Sequence, residues 1–229
     1  MSVAQLRTFR EQARLTQQQV AKRLGVSQGY VSLCETGRRT PSSSFMKKLA
    51  SVYRLPPTAL PVHRTDRLSK VDPRELAESL ASLGYPGFSY MRSRRKVNPA
   101  EVLLAALAQK NLESRLAEAL PWLLLRFPDV DNRWLAREAK LHNLQNRLGF
   151  VVSLARRLSE RTSDSKSLHA LAQLQQELEQ SRLAREDTFC QESLSEPERH
   201  WLREQRSHDA RHWNLLTDWT PETIRYAQV

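Results

Sequence analysis

Two glutamines, Gln17 and Gln28, each stand at the head of a short run with helical spacing. A primary amide carries both donor and acceptor, so it can pair with two atoms of a base edge or with one phosphate oxygen. The stretch that holds them is TQQQVAKRLGVSQGYVSLCETGRRTPS, residues 16–42, and Arg38 and Arg39 follow its second run. Thr16 and Ser27 precede the two runs as N-cap residue types. On the second run Gln28, Gly29, Ser32 and Leu33 share the outward face, with Tyr30 beside them. This set suits recognition rather than bond cleavage. The chain has no GxxxxGK[ST], GxGxxG or HExxH, so no motif supports an enzyme or a cofactor site. His200, His208 and His212 are the one metal-like grouping. They sit among Arg and Glu, so a solvated helix is the better reading and no metal is expected.

The elements that must position these groups are helical. Val20, Ala21 and Leu24, then Val31 and Cys34, then Phe45, Leu49 and Val52 step at helical intervals, after Val3, Leu6, Phe9 and Ala13. Gly25 separates the two runs of the quoted stretch, and a glycine there permits the positive φ of a tight turn between steeply crossed helices. Ser27 then leaves the residues after it at an exposed, electropositive helix start, which is how a recognition helix meets the major groove. Cys34 falls among the apolar positions and reads as core.

Charge points the same way. The chain carries +11 over 229 residues. Residues 1–60 hold ten Lys/Arg against two acids, net +8, and residues 61–100 hold eight against four, net +4. The other 129 hold 18 against 19, net −1. A basic excess confined to one end indicates a polyanion partner, of which nucleic acid is the commonest. Two cysteines make no disulfide framework, no apolar run reaches the length of a membrane span and no export signal is visible. The expectation is therefore a cytoplasmic protein.

Together with LASVYRLPPTAL (49–60), the quoted stretch resembles the helix-turn-helix domains of the Cro/phage-repressor (XRE) type, over about Val3–Leu60. That resemblance implies a five-helix domain that binds operator DNA as a dimer. It assigns Gln17 to phosphate, Gln28 to a base, and Gly29 and Leu33 to further reading positions. Arg10 and Glu35 match a pair that forms an internal salt bridge in several members. Arg38 and Arg39 are open to two readings, contact with phosphate or complement to the preceding helix dipole.

The whole chain reads as all-α: a helix-turn-helix domain over 1–62, a linker with one helix over 63–98, and a larger helical domain for dimerisation or partner binding over 99–229. Asp72–Gly84 has Asp at the N-cap, Pro at the first helical position and Gly past the end. Arg92, Arg94, Arg95 and Lys96 lie in an aperiodic segment that either touches phosphate or stays solvated. Nothing after residue 62 reads as β, which argues against the self-cleaving Ser–Lys domain that some phage repressors carry. The residues 131–158 place Leu144, Leu148, Val151, Val152, Ala155 and Leu158 on one stripe. Leu168, Leu171, Leu174 and Leu178 form another, the expected seam of a homodimer. Residues 119–158 resemble a segment of regulators encoded beside nucleotidyltransferase-like toxins of the abortive-infection kind. The leading expectation is a repressor on an inverted-repeat operator. The alternative is an antitoxin or immunity regulator whose C-terminal domain holds a toxin.

Overall fold

The computed structural model describes residues 4–62, 71–93, 95–162 and 165–225. It is all-α apart from one two-residue strand pair and an isolated bridge, with twelve α-helices among the described residues. The chain divides into two compact units, Met1–His63 with Lys96–Asn98 and Arg64–Arg95 with Pro99–Val229. None of the described helices is long and apolar enough to cross a membrane.

The first unit consists of α1 (Ala4–Gln12), α2 (Gln17–Leu24), α3 (Gln28–Glu35), α4 (Ser43–Val52) and a 3₁₀ turn over Pro57–Ala59. These helices have 8–10 residues each, too short to persist alone in water, so packing must hold them. Leu6, Val20, Val31, Cys34 and Leu49 are at most 2% exposed and form one core with Phe45, Met46 and Tyr53. Local signals fix where each helix begins. Thr16 accepts from the backbone N–H of Gln19 while Gln19 accepts from that of Thr16, a reciprocal cap on α2. Ser27 accepts from the N–H of Tyr30 and Ser42 from that of Phe45, capping α3 and α4. Gly25 closes α2 at φ 67°, and Val26 N–H returns to the Ala21 carbonyl at 3.0 Å. A side chain at residue 25 would strain this turn, which sets the crossing of α2 and α3.

The second unit opens with α5 (Pro73–Leu83), capped by Asp72 and closed by Gly84 at φ 92°. The Asp-Pro…Gly signal thus marks both ends of the helix. Although it falls in the segment read as a linker, α5 packs against α6 (Pro99–Leu107) and α7 (Ser114–Arg126). Leu120–Leu125 of α7 is buried on every side, as its unbroken apolar run requires. The segment 131–158 forms two helices, and the stripe Leu144–Leu158 falls wholly after the break between them. Asn143 takes φ 57° and separates α8 (Asn132–Leu141) from α9 (Gln145–Thr162).

The seam expected to pair two copies is occupied within the chain. On α10 (Ser165–Glu179), Leu171, Leu174 and Leu178 are at most 4% exposed, and the helix lies along α9. The stripe Leu144–Leu158 is buried as well, at most 6% exposed, so neither predicted stripe is left uncovered. After α10 come α11 (Glu196–Gln205) and α12 (His208–His212). The strands β1 (Asp187–Thr188) and β2 (Leu215–Leu216) pair in parallel. The apolar C-terminal stretch docks on its own chain. Trp213 is fully buried, its indole N–H donates to Ser153 Oγ at 2.9 Å, and its ring lies where a Cβ on Gly149 would fall. Farther on, the N–H of Arg225 donates to Glu118. His212 faces Glu179 at 2.6 Å, while His200 and His208 are exposed on other turns.

Candidate nucleic-acid interface

The starts of α2 and α3 are joined by one chain of side-chain contacts. Arg10 and Glu35 form a two-point ion pair, Nε to Oε1 at 2.7 Å and Nη2 to Oε2 at 3.1 Å. Their side chains are 12% and 3% exposed. Arg10 Nη1 also donates to the Leu15 carbonyl at 2.9 Å, which ties the end of α1 to the turn before α2. The hydrogen bond it donates to Glu35 raises the Arg10 guanidinium above its ordinary pKa, so Arg10 stays charged throughout the accessible pH range. The exposed pair Arg7–Glu11 is solvated on both sides and has no comparable fixing role.

From this pair the chain runs outward. Gln17 Nε2 donates to Glu35 Oε2 at 2.9 Å, and Gln28 Nε2 donates to Gln17 Oε1 at 3.0 Å. Glu35, at the last turn of α3, thus orients a residue at the first turn of α2, which in turn orients a residue at the first turn of α3. Gln28 keeps its own oxygen and its second N–H free for an outside partner. Gln17 is half-buried and Gln28 exposed.

The other predicted site residues divide by environment. Gly29 is exposed, and a Cβ there would meet nothing closer than Ser27 Oγ at 4.0 Å. Glycine within a helix costs about 1 kcal/mol relative to alanine. The fold gains nothing from it here, whereas a bare helix start lets another backbone come close. Leu33 is 39% exposed and Ser32 half-buried. Tyr30 is held by packing: its ring meets Phe45 edge-on at 5.0 Å, and the Arg39 guanidinium lies 5.0 Å from its centroid on the outer side. Sequence reading missed this link, since no spacing rule brings residue 39 over residue 30. Arg38 is exposed. Thr16 and Ser27 are spent as caps, each hydroxyl accepting one first-turn N–H, so their part is to fix where α2 and α3 begin.

Among the arginines of the 92–96 segment, Arg94 lies outside the described residues. Arg95 is paired with Glu75 and is 3.9 Å from Glu78, both on α5. That pairing neutralises the charge that a phosphate contact would need.

The geometry is that of two short helices crossed at a glycine turn, the second presenting an uncovered polar start. Residues 3–61 match the family model of a helix-turn-helix domain. The N-terminal unit is a helix-turn-helix domain. The helix-turn-helix match ends at residue 61, and nothing supports the resemblance of residues 119–158 to toxin-linked regulators. No curated protein and no solved structure matches the chain.

Proposed function

We propose that the protein is a sequence-specific transcriptional regulator, most simply a repressor, that binds an inverted-repeat operator as a homodimer. The observation that carries this reading is the contact chain Arg10–Glu35–Gln17–Gln28, which holds an otherwise free amide at the start of α3. Fixing a long polar side chain before binding removes part of the ordering cost of reading a base. Gln28 then pairs with a base edge, Gln17 with phosphate, and Arg38 and Arg39 add sequence-independent attraction. Repression follows from occupancy: a protein seated on promoter DNA excludes polymerase without any enzymatic step.

A domain of this size covers one half-site, so affinity requires two copies on one face of the duplex, about 34 Å apart. The Leu171–Leu178 seam is used inside the chain, so the dimer contact lies elsewhere. Selection of binding sites from random duplex DNA with the full-length protein tests the reading. Enrichment of two inverted half-sites one helical turn apart supports it. Recovery of a single asymmetric half-site, or of no preferred sequence, refutes it.

A further inference from the structure

Helices α1 and α4 end alike. Arg14 and Arg54 both take left-handed backbone at φ 54°. The residue after each, Leu15 or Leu55, returns its N–H to the carbonyl five positions back, on Arg10 or Ala50, at 3.1 and 2.9 Å. Glycine normally closes a helix this way, because a Cβ crowds the neighbouring carbonyl. A cation near a helix C-terminus is favourable, but that attraction is smaller than the cost of the left-handed turn. The fold alone would therefore be better served by glycine at both positions.

What the two strained residues share is a cleft of about 590 Å³ within the helix-turn-helix unit. Phe9, Leu15 and Leu55 give it an apolar lining, and Arg14, Arg54 and Arg23 of α2 stand on its walls. All three arginines are exposed, and none has an ion-pair or hydrogen-bond partner for its guanidinium among the described residues. Among the described residues no carboxylate lines the cleft. Elsewhere in the chain arginines with a carboxylate in reach take it, as Arg10, Arg95 and Arg147 do. Three uncompensated guanidinium groups around hydrocarbon make a place that attracts negative charge and shelters an apolar body. The volume is that of a small-molecule site.

The geometry points to a binding site for a small organic anion, with a phosphate or carboxylate head on the arginines and an apolar portion on the cleft lining. DNA phosphate offers the same head group but comes from another direction. Arg23 lies on the last turn of α2, about 9 Å along the axis from Gln17. The cleft gathers the C-terminal ends of α1 and α4, whereas readout uses the N-terminal ends of α2 and α3.

The test uses the full-length protein, isotope-labelled for amide NMR, with phenyl phosphate as probe and benzyl alcohol as its neutral counterpart. Phenyl phosphate should move the amides of Phe9, Leu15 and Leu55 saturably, and benzyl alcohol should bind at least about tenfold more weakly. Arg14→Gly combined with Arg54→Gly should weaken phenyl phosphate at least about tenfold while the melting temperature holds or rises. Its affinity for duplex DNA and the salt dependence of that affinity should stay unchanged. Arg23→Gln, on a regular helical turn, gives the same comparison without touching either strained position. Wild-type binding by these variants, or shifts centred on residues 17 and 28, would overturn the proposal. A parallel loss of DNA affinity would overturn it too, by making the arginines backbone contacts.

Discussion

Glu35 decides more at the residue scale than its hidden position suggests. One carboxylate neutralises Arg10 and accepts from Gln17, so it serves stability and, on the proposed function, readout as well. Glu35→Gln leaves a mostly buried guanidinium without its counter-charge, and about 3 kcal/mol of stability should go with it. Denaturant unfolding measures that loss, and Arg7→Ala, from a solvated pair, should leave the midpoint unchanged. Tyr53 shows the opposite case of a buried polar atom that serves nothing in the fold. Its hydroxyl has no hydrogen-bond partner among the described residues, and burial pushes the phenol from 10 up to about 12. A proton held more tightly in the folded state stabilises below the unfolded pKa and ceases to do so as pH rises through the folded one. The N-terminal unit should therefore lose stability between pH 10 and about 12. Tyr53→Phe should flatten that alkaline limb and raise stability at neutral pH by about 1 kcal/mol. Thermal unfolding of both proteins across that range checks it, and a Phe variant with an unchanged alkaline limb would refute the assignment.

Among elements, the pairing of α9 with α10 is where reading by stripes and the packed structure part. A leucine repeat identifies an apolar face but not the identity of what covers it. Here the helices that carry the two stripes are close together in one chain, α9 ending at Thr162 and α10 beginning at Ser165, so intramolecular pairing needs no second molecule and loses little loop entropy. Leu178→Asp should therefore unfold the second unit at any protein concentration, since the charge enters a position with no exposure. A seam between two copies would instead yield a folded monomer, which sedimentation together with circular dichroism would reveal. Other elements were legible because the signal is local. Thr16, Ser27 and Asp72 cap the helices they precede, and Gly25 and Gly84 close helices in left-handed turns. The break at Asn143, the parallel β1–β2 pair and the approach of Trp213 to Gly149 were not legible. Each depends on residues brought together by tertiary packing, and a two-residue strand is too short for alternation to show. In the candidate site, the positions of Gln17, Gln28, Arg10 and Glu35 were readable, but the hydrogen bonds that join them emerge only once α2 and α3 cross.

For the whole molecule, the charge asymmetry and the two units give a division of labour. Most of the basic excess sits with the helix-turn-helix domain, and the second unit is a helical body whose large aromatics are mostly spent on its own core. On the proposed function, electrostatic attraction from the first unit would bring the protein to any DNA, and the amide held at the start of α3 would tell one sequence from another. These two contributions separate in a single experiment. Equilibrium affinities are measured for a duplex carrying the selected site and for a random duplex, over a range of salt, with the wild-type protein, Gln28→Ala, and Arg38→Ala combined with Arg39→Ala. Gln28→Ala should cost about 1–3 kcal/mol on the selected site and little on random DNA, while the arginine pair should weaken both duplexes alike and flatten the salt slope. Equal losses on the two duplexes for Gln28→Ala would contradict the account, because the residue at the end of the Arg10–Glu35–Gln17 chain would then carry no sequence information.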